Sequence, residues 1–257
     1  MPARRAPCYG VPMLLVVALA HAGPYPVANP GRPSFSDNAS PVETGALEIE
    51  AGAAVDPEAA GLNYALKLGV HPDATLRLGL DHLVYPGAEI GTGNLSAKFT
   101  LRHPDAGRLG VALAPFAAYD LSSSVPGFGV NLIGTLPFGP FQLDANALAD
   151  AQYLHDRSVT LAVDPVLTLG LGLGERFGIY AESYAIVPVL GETEGLGLAA
   201  AGGLGFAFRP DLVLDAGCDV GLMGLPRWTA QLGVTWAGWV AKDSPMKTPS
   251  PRPRSPR

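Results

Sequence analysis

From Leu62 the chain runs LNYALKLGV, with Leu62, Tyr64, Leu66, Leu68 and Val70 on one parity and Asn63, Ala65, Lys67 and Gly69 on the other. A period of two puts the two sets on opposite faces of a β-strand. The alternation resumes after a His-Pro-Asp triplet, where Leu76, Leu78 and Leu80 oppose Thr75, Arg77, Gly79 and Asp81. It resumes again with Leu95, Ala97, Phe99 and Leu101 against Asn94, Ser96, Lys98, Thr100 and Arg102.

Later segments keep the same grammar. Gln142, Asp144, Asn146, Asp150 and Gln152 oppose Phe141, Leu143 and a row of alanines. Asp164 and Thr168 share a parity, as do Tyr180, Glu182 and Tyr184, then Asp215, Gly217 and Asp219. Thr229, Gln231 and Thr235 close the series, and Glu48 and Glu50 open it. In all there are about twelve segments of about 9–13 residues. Ordinary globular strands have a mode near five or six residues, whereas a tilted membrane strand needs about 9–11. The length of the segments predicts an all-β fold, a transmembrane antiparallel up-and-down barrel of about 12 strands.

The connections predict the barrel's orientation. Tight ones are expected at His71–Asp73, Pro104–Gly107, Phe138–Pro140, Gly174–Arg176 and Arg209–Asp211, with roomier ones between, such as VYPGAEIGTG, DLSSSVPG and GETEG. Short turns on one side and longer loops on the other are the outer-membrane pattern. Both chain ends then fall on the short-turn, periplasmic side. Phe138, Phe141, Phe177, Phe208 and Trp239 lie near the turns, and Tyr85, Tyr119, Phe128, Tyr153 and Trp228 near the loops, as interfacial girdles require. The His-Pro-Asp triplets at 71–73 and 103–105 and Arg-Pro-Asp at 209–211 read as turns, since proline and aspartate suit adjacent turn positions. The alternative is a metal held between His71 and His103.

Composition narrows the classes. Hydrophobic residues make up 48% and charged residues 16%, against about one quarter charged in soluble domains. The net charge of −6 does not favour nucleic acid as a partner. Residues 1–22 read as an export signal, with Arg4 and Arg5 ahead of the apolar stretch Val11–Ala20. Cys8 falls inside that segment, which leaves Cys218 unable to form an internal disulfide. Beyond the signal no apolar run reaches the roughly 18 residues of a membrane helix. Residues 23–44 form a Pro-rich segment with two candidate places, the lumen or the periplasm. The barrel is expected over 45–240 and a disordered basic Pro-rich tail over 241–257.

Alternation alone fits a soluble barrel turned the other way. Closure of many long strands, and a polar face rich in Gly, Ala, Thr, Asn and Asp, favour lipid outside and water within. The charged residues of the polar face are the candidate pore lining: Glu48, Glu50, Lys67, Arg77, Asp81, Lys98, Arg102, Asp144, Asp150, Asp164, Glu182, Asp215 and Asp219. The basic ones gather on strands two to four, a region that Glu48, Glu50 and Asp81 share, and the other acidic ones line the later strands. This predicts facing walls of opposite sign and a weakly cation-favouring lumen. Inward-facing Gly197, Ala199, Ala201, Gly203, Gly205 and Ala207 are expected to leave open space.

Two stretches carry a family resemblance. GRPSFSDNASPVETGALEIEAG resembles the N-terminal signature of outer-membrane proteins grouped as meta-pathway phenol-degradation (MetA-type) transporters, and LVLDAGCDVGL with its closing strand is similar to their last hairpin. The resemblance implies a porin or transporter of the Gram-negative outer membrane, with lipid, small solutes and the barrel-assembly machinery as partners. Such barrels end on a terminal aromatic, a place that Trp236 or Trp239 would hold here, although the tail follows it.

The expected function is a channel for passive or facilitated passage of small solutes, aromatic or hydrophobic ones among them. An enzyme built on the barrel rim, of lipase or acyltransferase type, and a non-conducting structural barrel are the alternatives. Ser122–Ser124 and His155-Asp156 are the only triad material, with no nucleophile-elbow motif. No catalytic group, cofactor or metal is expected.

Overall fold

The computed structural model describes residues 25–31, 34–85, 89–154, 156, 158–191 and 195–240. The expectations for residues 1–22 and 241–257 lie outside the described residues. Twelve strands follow in order: β1 (Ala46–Val55), β2 (Ala60–His71), β3 (Ala74–Tyr85), β4 (Glu89–Arg102), β5 (Gly110–Asp120), β6 (Val125–Phe138), β7 (Phe141–Tyr153), β8 (Val159–Leu173), β9 (Phe177–Leu190), β10 (Gly197–Arg209), β11 (Leu212–Met223) and β12 (Thr229–Trp239). Each pairs antiparallel with its sequence neighbours, and β1 pairs with β12 from Ala46↔Trp239 to Val55↔Ala230. The sheet is a closed barrel with no free edge.

Parity sorts the residues. Leu66, Leu78, Leu95, Leu132, Leu167, Leu214 and Leu232 stand exposed on the outside. Residues of the opposite parity, Lys67, Thr75, Asp144, Thr168, Glu182, Asp215 and Thr235 among them, are buried inside. An apolar exterior this continuous would cost about 25 cal/mol per Å² in water and is at home in hydrocarbon. Exposed Phe138, Phe141, Phe177 and Phe208 ring one end, and exposed Tyr85, Tyr119, Phe128, Tyr153 and Trp228 the other. Phe138 and Phe141 stack at 5.5 Å across their turn.

The turns separate the three triplets. Pro72-Asp73 and Pro210-Asp211 are tight links flanked by His71↔Ala74 and Arg209↔Leu212. The second His-Pro-Asp instead opens the connection 103–109, with a bridge Asp105↔Arg108 and Gly107 at φ 69°. Asp73 lies 2.7 Å from His103 Nε2 and 3.5 Å from His71 Nδ1. No group of three His, Cys, Asp or Glu among the described residues has the arrangement of a metal site.

The expected contrast between tight turns and roomier loops holds at 72–73, 139–140, 174–176 and 210–211 and is corrected at Pro104–Gly107. The longest loop-end connection, 191–196, is shorter than 103–109 at the other end. The stretch VYPGAEIGTG is mostly ladder, since β3 runs to Tyr85 and β4 starts at Glu89. Strand pairing extended wherever backbone partners were available, and it consumed residues that composition had marked as loop.

A cation placed mid-wall on the lipid face should be costly and one at the rim should not. Leu132→Arg is expected to lower the unfolding free energy in lipid vesicles by about 2–4 kcal/mol, and Tyr153→Arg by about 0–1 kcal/mol. Urea titration of vesicle-embedded protein measures both. Equal costs at the two depths would contradict a membrane-facing exterior.

Candidate functional site: a strap in the lumen and a cup above it

A barrel of about twelve strands is wider than side chains can fill. Here the spare volume at the short-turn end holds the chain's own residues 25–31 and 34–43, which lead into β1 through Gly45. Of the two places open to this Pro-rich segment, the structure chooses the lumen. The segment forms no ladder of its own, and Pro26 and Pro30, which lack an N–H, are fully buried. Its remaining backbone groups need partners, and the barrel wall supplies them.

The strap circles the lumen from strand to strand. Asn29 N donates to Glu48 at 3.0 Å, and Gly31 N donates to Glu50. Glu182 on β9 accepts from Phe35 N at 2.8 Å, from Ser36 N at 3.2 Å and from the Ser34 hydroxyl. Asn146 on β7 clasps Asp37 from both sides, accepting from its N–H and donating to its carbonyl, each at 2.9 Å. The Thr135 hydroxyl accepts from Ala39 N at 2.9 Å, and Thr100 donates to Ala39 O at 2.7 Å. Thr75 accepts from Val42 N at 2.8 Å. At the exit the strap lies directly on Gly69, where an added Cβ would fall 2.1 Å from the Glu43 carbonyl oxygen.

Two lysines hold the strap through charge as well. Lys67 Nζ donates to Asn29 O at 2.9 Å and pairs with Glu50 at 2.8 Å and Glu48 at 3.7 Å. Lys98 Nζ binds Asp37 Oδ1 and Asn38 O, each at 3.0 Å. Arg77 interacts with the charges of Glu50, Asp37 and Asp81. Three cations therefore meet Glu48, Glu50, Asp37 and Asp81, and the basic wall expected from the sequence is quenched.

On the loop side of the strap lies a cavity of about 190 Å³. Phe35 and Asp37 form its floor, and Phe35 lies 4.1 Å, centroid to centroid, from Tyr184. Lys67, Arg77 and Lys98 line one side, Asp150 and Asp164 the other, with Phe116, Leu148 and Val166 between. The β9–β12 side is filled. Leu225, from the connection 224–228, packs with Phe35 onto Val166, Tyr184 and Ala199. Gly221 permits this fold-over, since a Cβ there would meet Pro226 O at 2.2 Å. The open space expected beside the small residues of β10 is thus occupied, because small wall residues admit backbone as readily as water.

The candidate lining residues divide by depth. Lys67, Arg77, Asp81, Lys98, Asp150 and Asp164 line the cup. Glu48, Glu50, Asp144, Glu182, Asp215 and Asp219 face inward but are buried at 0–5% exposure, so they do not line open water. Arg102 is exposed at the short-turn rim, outside the lumen proper. Thr75, Thr100, Thr135, Asn146 and Thr168 were not among the candidate lining residues, yet they carry the strap or its acceptors. Their only sequence signal is inward parity beside a charged neighbour.

The triad material is engaged locally. The Ser122 and Ser123 hydroxyls donate to Asp120 at 2.7 and 2.5 Å in a turn where Ser124 has φ 55°. Hydrogen bonds from the Ser158 side chain and backbone hold the Asp156 carboxyl below its ordinary range. His155 lies outside the described residues.

Glu182→Ala should loosen the strap without harming the barrel. Each donor left without its partner costs about 1–3 kcal/mol. The Phe35 and Ser36 amides are then expected to exchange with solvent roughly ten- to hundredfold faster, and amides of the β1–β12 ladder at their original rate. Hydrogen exchange read by mass spectrometry checks both.

No family model and no curated protein matches the chain. Among solved structures the fold is similar to an outer-membrane channel from Pseudomonas putida F1, with TM-score 0.61 and 8% identity over 77% of this chain and 97% of that one. It is also similar to the NanC porin, with TM-score 0.57 and 10% identity over 74% of this chain and 98% of that one. At these identities the likeness is one of fold: the chain has the architecture of outer-membrane barrels.

Proposed function

We propose that this chain is a channel of the Gram-negative outer membrane. Small solutes enter its loop-end cup from outside the cell and leave past the strap into the periplasm, where both termini lie. The observation that carries the reading is a closed barrel whose exterior is apolar while its interior holds a cavity lined by both charged and apolar side chains. A barrel with only a structural task would have no need of a cup lined with carboxylates and aromatic rings.

The lining favours a class of solute. Phe35, Phe116, Tyr184 and Val166 offer flat apolar contact, and ring-on-ring packing contributes about 0.5–1.5 kcal/mol per pair. Small aromatic or otherwise amphiphilic solutes suit this surface, and the resemblance to meta-pathway transporters points the same way. Asp150 and Asp164 form no ion pair among the described residues, whereas Lys67 and Lys98 opposite are paired and Arg77 lies in the field of Glu50, Asp37 and Asp81. The cup is therefore negative on balance and favours cations over anions.

Planar-bilayer recording under a salt gradient tests this reading. The reversal potential is expected on the cation-selective side. Asp150→Asn with Asp164→Asn is expected to move it toward zero while single-channel steps persist. Silence through repeated insertions would remove the channel, and anion selectivity would remove the assigned role of the two carboxylates.

A further inference from the structure

We propose that the lumen is a peptide-binding site whose resident ligand is the chain's own strap, residues 25–31 and 34–43, and that release of this ligand opens the pore. The proposal rests on the channel reading for its consequence but not for its geometry.

Four observations converge on it. First, the barrel is complete without the strap: the β1–β12 ladder begins at Ala46, and the strap adds no strand to it. Second, recognition runs from wall side chains to strap backbone. Glu48, Glu50, Thr75, Thr100, Thr135 and Asn146 each meet a strap N–H or carbonyl. This is how a receptor holds an extended peptide. Third, the interface is mainly polar. Ala28, Phe35 and Ala39 make small apolar clusters with the wall, on Val213, Tyr184 and Ile133 among others. The other wall groups that the strap covers are carboxylates, hydroxyls, an amide and two ammonium groups, all of which water can serve in its place. Separation therefore exposes a largely hydrophilic lumen. Fourth, the joint is a glycine. Gly45 sits at φ 83°, and an added Cβ there would meet nothing within 4 Å.

The site also has a size rule. Strap residues Ala28, Ser34, Ser36 and Ala39 are at most 1% exposed, so the lumen accepts an extended peptide with small side chains at these places. Phe35 and Asp37 are at once the floor of the cup and part of the strap. Departure of the strap therefore joins the cup to the short-turn end.

A reversible cross-link tests the idea in the full chain. Ala39 and Ala112 pack in one cluster, so Ala39→Cys with Ala112→Cys can tie the strap to β5. Cys8→Ser and Cys218→Ser remove the native thiols. With the pair reduced, opening bursts are expected, and oxidation should cut time-averaged conductance at least tenfold, reversibly. Equal conductance in both states overturns the gate and leaves the channel standing.

A second readout needs no conductance. Ala39→Cys without its partner, in folded micelle-bound protein, should react with a water-soluble maleimide although the position is fully buried. Gly69→Ala, which pushes on Glu43, should speed that reaction at least tenfold. Reaction only after denaturation, in both backgrounds, would overturn release of the strap even if the bilayer stayed silent. Labelling without any conductance would uphold release and sink the channel reading alone.

Discussion

In hydrocarbon an unpaired backbone N–H or C=O has no water to turn to, and each costs several kcal/mol. That constraint shapes everything else in this molecule. It requires β1 to find β12, since a sheet left open would present two unbonded edges to lipid. It also draws the strands out until Tyr85 and Glu89 leave only residues 86–88 between β3 and β4. Loop-like composition yields to pairing at this rim because the neighbouring strand offers backbone partners there.

Closure creates a second problem inside. A ring of twelve strands encloses more volume than its inward side chains occupy. Water could fill it, but the structure places the chain's own residues 25–31 and 34–43 at one end and leaves a cup at the other. The same accounting of backbone partners then recurs in the lumen. Prolines remove some of the strap's donors, and wall carboxylates, hydroxyls and amides receive the rest. Charges that would repel one another on an open wall, such as Glu48 and Glu50, are held together by Lys67 and by strap N–H groups.

The two halves of the lumen consequently differ in character. Around the strap the polar residues are buried and mutually bonded, a wet interior replaced by peptide. In the cup Asp150 and Asp164 face a cavity shared with Phe35, Phe116 and Tyr184. Chemistry available to a solute is confined to the cup. The wider set of inward carboxylates is buried and does not line the cavity.

The barrel, its strand number and the face that each residue takes were legible in the chain, because parity is a local property with a period of two and needs no knowledge of partners. The turns at Pro72-Asp73 and Pro210-Asp211 were legible for the same reason. What the lumen contains was not. Whether Glu182 points to water or to Phe35 N depends on residues about 147 positions apart in the chain meeting across the barrel. Extended peptide without a repeat leaves no periodic mark. The local pattern thus determined which residues face inward. Only the closed tertiary structure decided which of them a solute can reach, since that depends on the volume left over once twelve strands have joined.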